Sequence, residues 1–237
     1  NGGNSEGFIY SAWSSYATTC GTQNFTRSTD YNVSYDSCSD VDGDPHFGTM
    51  AIDLSGNVYV AGWNYDSSIA VVTRSYNADS VGSTATWQSV QVNMGGYMGT
   101  AVLLNPAGLM GQVNIEVDRS GAGTGTNGNI YLLATLVDTA ETTSDVMFTR
   151  STDGGITWSS PIVINDDVDS AIQWMGTMSV APNGRIDAVW LDTRDANGSD
   201  SSALYYSYSV DGGLTWSINE MLSGLFDPHA GYPQQPK

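Results

Sequence analysis

Positive charge is what this 237-residue chain has least of: 7 Lys and Arg stand against 25 Asp and Glu, for a formal net charge of −18. A surface so negative repels phosphate backbones and anionic headgroups, which argues against nucleic acid and acidic membranes as partners. It suits divalent cations. Histidine is almost missing, with His46 and His229 the whole set, so no Cys/His cluster exists for zinc. Glutamate is scarce, limited to Glu6, Glu116, Glu141 and Glu220. No window approaches about 18 consecutive apolar residues, so no membrane-spanning helix is expected. The opening NGGNSEGFIY lacks a basic and apolar leader. A signal peptide is therefore expected to have been removed or to lie outside the sequence.

What the chain does have is 27 Gly, 7 Pro and a dense scatter of Ser, Thr, Asn and Asp, which leaves few helix-forming stretches. Strands and turns are the default, and the length suffices for a sizeable core. Cys20 and Cys38 flank a predicted hairpin, where a disulfide would close a short loop and add about 3 kcal/mol through the unfolded state. Two buried free thiols are the alternative. Sequons at Asn24, Asn32 and Asn197 fit an exported, extracellular protein.

One unit recurs. It reads FTRSTDYNVSY from Phe25, VVTRSYNADSVGSTATW from Val71, MFTRSTDGGITW from Met147 and YYSYSVDGGLTW from Tyr205. Arg27, Arg74 and Arg150 share one position, which Tyr208 fills in the last copy, and this sharing points to a structural role on an outer strand. Two copies close on Ser-x-Asp-x-Gly-x-x-Trp: Ser151, Asp153, Gly155 and Trp158, then Ser209, Asp211, Gly213 and Trp216. The first copy keeps Ser28 and Asp30, with Asn32 and Tyr35 in the later places, and the second has an insertion before Trp87. The spacing predicts a turn in which Asp bonds back to backbone N–H groups and Gly takes positive φ. Trp then begins the returning strand and packs beneath the turn.

A second element alternates with the first: FGTMAIDLSGN (47–57), MGTAVLLNPAG (98–108) and MGTMSVAPNGR (175–185), each followed by a strand rich in Tyr, Ala and Trp. The combined unit is a four-stranded antiparallel meander, and its repetition is the signature of an all-β propeller. The expected units are approximately 1–43, 44–94, 95–170 and 171–228 of a single domain.

These turns resemble Asp-box (bacterial neuraminidase) repeats, and SGNVYVAGW, APNGRIDAVWLDTRD and STDGGITWSSPIVIND are similar to the sialidase-like propeller superfamily over nearly the whole chain. About four blades are present. The resemblance leaves three arrangements: part of a longer, six-bladed ring, a four-bladed ring, or a partial ring completed by another chain. A sialidase would need an arginine triad for the substrate carboxylate, a Tyr–Glu nucleophile pair and an Asp acid/base. Only Arg119, Arg185 and Arg194 lie outside the repeat position, so a complete site of that kind is not expected within these residues.

In a propeller the first strand of each blade lines the central channel, so the residues before each Gly-Thr should converge at one mouth. That places His46, Tyr97 and Trp174 together, with Asp44 and Gln173 beside them, as an aromatic cluster for stacking on a sugar; filling of the channel is the other reading. DVDGD offers Asp40, Asp42 and Asp44 to a calcium ion. NDDVD (165–169) and DTRDANGSD (192–200) are comparable acidic loops. The leading expectation is a secreted module binding glycans or a cell-surface glycoconjugate. An exo-acting glycoside hydrolase of sialidase type and a structural or assembly module that self-associates are the alternatives.

Overall fold

A computed structural model describes residues 6–14, 20–99, 105, 108, 110–138, 143–167, 171–197 and 201–230. Among these the regular structure is entirely β, and it forms propeller blades. β1 (Ile9–Ala12) and β2 (Phe25–Ser28) make a two-stranded sheet. β3 (Met50–Ile52), β4 (Val58–Asn64), β5 (Ile69–Ser75) and β6 (Gln88–Val92) make a four-stranded antiparallel meander. β7 (Asn114–Val117), β8 (Ile130–Val137), β9 (Ser144–Ser151) and β10 (Ile162–Val163) repeat it. So do β11 (Gln173–Val180), β12 (Ile186–Asp192), β13 (Ala203–Ser209) and β14 (Glu220–Met221). The registers Val58↔Ser75, Ile130↔Ser151 and Ile186↔Ser209 align the three meanders residue for residue.

The core sits in the seams between sheets. Tyr59, Ala61 and Val72 of the second sheet, with Met94 just beyond its last strand, pack on Ile115, Ile130, Leu132 and Ala134 of the third. Tyr131, Leu133, Val146 and Phe148 on the third sheet's other face meet Met178, Ile186, Ala188 and Trp190 of the fourth. Every residue of β8 is therefore buried, whereas β12 alternates between buried and half-buried. Each such aliphatic side chain contributes about 1.5–3 kcal/mol on burial, so the seams dominate stability.

One expectation about the third sheet is corrected here. Its innermost strand is Asn114–Val117, which follows the 98–108 stretch that carries Gly-Thr and lies outside it. Residues 100–104 of that stretch lie outside the described residues. The Gly of this element has a steric reason: a Cβ on Gly48 would stand 1.8 Å from the Ala61 carbonyl oxygen.

The recurring turns bond internally. Ser151 Oγ donates to Asp153 Oδ1 at 2.8 Å, the amides of Ile156 and Thr157 donate to the same oxygen, and the Thr157 hydroxyl donates to Oδ2 at 2.6 Å. Asp30 and Asp211 repeat the pattern with Ser34 and Thr215. Gly213 has a φ of 80°, and a Cβ there would meet the Phe148 ring at 2.2 Å. In the second sheet Asn77 does the work of the aspartate, accepting from Thr86 N at 2.8 Å across the insertion. The tryptophans depart from expectation, because Trp158 and Trp216 precede the returning strands β10 and β14 and do not begin them. They pack against neighbouring sheets, Trp216 edge-on to Phe148 at 5.1 Å between centroids.

Hydrogen bonds from the Thr157 hydroxyl and amide hold the Asp153 carboxyl down to about 2, and Ser34 does the same for Asp30. For Asp211 slight burial opposes the shift, and the Thr215 bonds outweigh it. Carboxyls depressed in the folded state stabilise it above their unfolded value of about 3.9, and that stability fades as pH falls toward 2. Asp153→Asn, which copies Asn77, is expected to lower neutral-pH stability by about 1 kcal/mol, solvent screening most of the carboxylate's advantage, and to flatten the loss between pH 4 and 2. Thermal melts of both proteins across that range check it; an unchanged acid slope would count against the linkage.

Arg74 and Arg150 lie on the third strand of their four-stranded sheets, not on the outermost one, and Arg27 on the second strand of the two-stranded sheet; from there each spans a seam. Arg150 Nη1 donates to Gly212 O at 3.2 Å and Arg74 Nη1 to Gly154 O at 2.8 Å, so each reaches the turn of the following blade. Arg27 donates to the carbonyls of Asn77, Ala78, Ser80 and Ser83 and pairs with Asp36 at 2.8 Å. Tyr59 and Tyr131, cross-strand neighbours of Arg74 and Arg150, donate to Asp53 and Asp118 at 3.2 and 3.3 Å. The fourth sheet replaces this trio with Ala181, Asp187 and Tyr208.

Cys20 and Cys38 form a disulfide that ties the loop between β1 and β2 to the chain beyond the first turn. Asn24 is buried and accepts from Val41 N at 2.7 Å, so that sequon is closed to modification in the folded protein.

Candidate functional site

An antiparallel meander puts its first and third turns at one end and its second turn, with the connection to the next sheet, at the other. The aspartate-bonded turns therefore occupy one end of the blades. The opposite end gathers residues 13–14, 44–49, 65–68, 93–97, 110–113, 165–167, 171–175 and 193–197. The candidate site lies there.

Two adjoining cavities open among these loops. One, of about 370 Å³, is lined by Trp13, Ser14, Pro45, Phe47, Thr49 and Gln112 among others. The second, of about 290 Å³, is lined by Phe47, Gly111, Gln112, Asn114, Met175 and Thr177. Phe47 and Gln112 border both. Parallel bridges Gly48↔Val113 and Gly111↔Gly176 stitch the starts of the three innermost strands side by side, which places this wall at the inner edge of the blades. Phe47 and Met175 have φ of 47° and 54°, a left-handed backbone that non-glycine residues seldom adopt and that concentrates at functional sites. Their side chains are 41% and 38% exposed. Phe47 meets Tyr65, 42% exposed, edge-on at 6.1 Å, so the accessible ring that lines the cavities has a second accessible ring against it.

The predicted site residues fall differently. His46, Gln173 and Trp174 are buried, so they form no accessible stacking surface. Trp174 Nε1 donates to Ser202 Oγ at 3.0 Å and packs with Met110, Val137 and Tyr97. Gln173 Nε2 donates to Asp192 at 3.2 Å. His46 opposite Trp63 and Trp174 opposite Leu191 hold one ladder position, while Tyr97 opposite Val137 sits two residues further along. The exposed rings at this end are those of Phe47 and Tyr65 and not the predicted trio; the backbone reversal at Phe47 turns its ring outward and leaves its neighbour His46 inside.

His46 instead sits between two polar groups. Its Nε2 lies 2.9 Å from Asp44 Oδ2 and its Nδ1 2.6 Å from Ser14 Oγ. The carboxylate fixes the tautomer with the proton on Nε2, which leaves Nδ1 to accept from Ser14. Asp44, like Phe47, has a positive φ, 44°. Ser14 was invisible to sequence reasoning, since 32 positions separate it from His46 and no motif contains it.

The three carboxylates proposed for calcium do not assemble. Asp42 accepts from the Ser89 amide and hydroxyl at 3.2 and 2.6 Å, Asp44 is taken by His46, and Asp40 is exposed. Among the described residues no group of three or more His, Cys, Asp and Glu side chains is placed to hold a metal. The other acidic loops converge on a guanidinium: Arg194 bonds Asp166 at 2.7 Å, Asp167 at 3.3 Å and fully buried Asp192 at 2.8 Å, and lies 4.3 Å from the Tyr205 ring centroid. Arg119 stands 3.9 Å from Glu116 and Arg185 3.0 Å from Asp187, so the three arginines outside the repeat position serve separate partners. Burial pushes the Glu116 carboxyl up, and Arg119 only partly offsets it.

No protein-family model matches the chain, and no curated protein matches it. Solved structures do. A GH93 α-L-arabinofuranosidase of Fusarium graminearum, in complex with arabinobiose, superposes with a TM-score of 0.52 at 12% identity over 76% of this chain and 49% of that one. A Penicillium chrysogenum α-L-arabinanase complexed with arabinobiose gives 0.51 at 14% identity over 76% and 50%. A polysaccharide lyase of family PL25, an ulvan lyase, gives 0.54 at 12% identity over 91% and 53%. The chain thus spans about half the length of these structures, and at such identities they share its fold alone.

Proposed function

We propose that this chain is the glycan-engaging part of a carbohydrate-active Asp-box propeller, seating a sugar chain against Phe47 and Tyr65 and in the cavities beside them. The observation that carries the reading is the exposed Phe47 ring, which borders both cavities beside Gln112, Asn114 and Thr177 and meets the exposed Tyr65 ring edge-on. Flat apolar faces next to amide and hydroxyl groups match a sugar, whose ring faces are C–H rich and whose edges carry hydroxyls. The self-bonded turns support the Asp-box reading. The fold neighbours named for arabinan- and ulvan-directed activities support the carbohydrate one. The Cys20–Cys38 disulfide supports an oxidising compartment outside the cytoplasm. Sialidase chemistry has no support, because the arginines are held by separate partners.

Retention on immobilised arabinan, ulvan and related plant or algal polysaccharides tests this. Phe47→Ala is expected to weaken binding about tenfold, near 1.4 kcal/mol, with melting unchanged. Equal retention of wild type and variant, or none on any polymer, would end the proposal. Glycoside cleavage is the second reading, favoured by the raised Glu116 on an innermost strand. Release of reducing ends by the wild type, at least 100-fold slower in Glu116→Gln, is its expected result.

A further inference from the structure

Ser14, His46 and Asp44 form a hydrogen-bonded chain whose first member lines the larger cavity and whose last has a half-exposed side chain. We propose that this chain is a nucleophile–base–orienter triad that cleaves carboxylate esters, and, resting on the glycan reading above, that its natural substrates are acyl groups on a polysaccharide.

A serine hydroxyl is a weak nucleophile until a base takes its proton, and the base must be held in one tautomer by a third group. The contacts of 2.6 and 2.9 Å satisfy both demands. Here the serine faces Nδ1 and the carboxylate Nε2, the reverse of the chymotrypsin arrangement. A neutral imidazole accepts through whichever nitrogen lacks hydrogen, so the reversal leaves its basicity intact. Burial keeps the ring from swinging, and the positive φ at Asp44 holds the carboxylate two residues away from the ring it orients.

The reaction closes without outside reagents except water. Ser14 Oγ bonds to the ester carbonyl carbon as its proton passes to His46 Nδ1; the carbon–oxygen bond to the sugar breaks, and the leaving oxygen takes that proton. Water then attacks the acyl-serine, gives its proton to Nδ1, and the proton returns to Ser14 Oγ as the carboxylic acid departs. Asp44 stays ionised and stabilises the transient imidazolium. Trp13 lines the same cavity, and its indole N–H is buried without a hydrogen-bond partner among the described residues, so a small turn of the ring toward the cavity would supply a donor to the tetrahedral oxyanion.

The test uses the whole chain with a fluorophosphonate probe and p-nitrophenyl acetate. A covalent adduct on Ser14, located by mass spectrometry, is expected, together with ester turnover that Ser14→Ala abolishes and His46→Gln slows at least 100-fold. Ser14→Ala removes one oxygen, so an unchanged melting curve separates lost chemistry from lost folding. Absence of an adduct on the folded wild type, labelling at another residue, or equal labelling of His46→Gln overturns the proposal. Polysaccharide retention is scored separately, so a protein that hydrolyses the small ester but binds no glycan refutes the glycan reading and leaves the triad standing.

Discussion

Arg27→Ala is expected to destabilise the protein by about 3–5 kcal/mol, the cost of stripping partners from buried polar groups. Arg27 is 1% exposed and is the donor for four carbonyls of the next blade's turn, so truncation leaves those oxygens and the Asp36 carboxylate without it. Lysine should recover little, since one ammonium cannot span carbonyls that a planar guanidinium reaches through separate nitrogens. Denaturant unfolding of wild type, Arg27→Ala and Arg27→Lys measures both effects; a loss below 1 kcal/mol would show that water replaces the guanidinium.

Asp192→Ala should cost a similar amount by a different route. This fully buried carboxylate accepts from Trp190 Nε1 at 3.0 Å, Gln173 Nε2 at 3.2 Å, the Arg194 backbone N–H at 2.8 Å and Arg194 Nη2 at 2.8 Å. Removing it strands two buried donors and leaves the guanidinium to the more exposed Asp166 and to Asp167. We expect a loss of about 3–5 kcal/mol. The double variant Asp192→Ala, Arg194→Met should be more stable than the single one, because the unpaired cation goes with its partner. Unfolding curves for the four proteins of that cycle decide it, and additive losses would dissolve the idea of a coupled network.

The blade architecture was legible because each turn declares itself within eight residues: Ser151, Asp153, Gly155 and Trp158 have side chains whose chemistry acts locally. Asn77 escaped because an insertion moves its partner Thr86 nine positions away, and because an amide oxygen replaces a carboxylate at no cost to the hydrogen bonds. Asn114–Val117 escaped because that innermost strand lacks Gly-Thr, while a copy of the motif stands in the preceding connection. For the site, sequence placed His46 and Trp174 at one ladder position but not the direction of their side chains. That direction depends on single backbone reversals at Phe47 and Met175, which their residue types do not announce because non-glycine residues seldom adopt positive φ. Ser14 could be found only once the first sheet had been laid beside the second.

The arginine clasps all point the same way along the chain, each blade gripping its successor and none its predecessor. Removing residues from the front takes a clasp away together with the blade that owned it and strips the carbonyls it served of their donor, that of buried Ala78 among them. Trimming from the back deprives Arg150 of the Gly212 carbonyl it grips across a seam. Truncations from the two ends therefore differ in kind: a shortened head leaves carbonyls without a donor, and a shortened tail leaves a guanidinium without an acceptor. The order in which blades emerge during synthesis leaves each newest one waiting for its keeper's hand to close on the next.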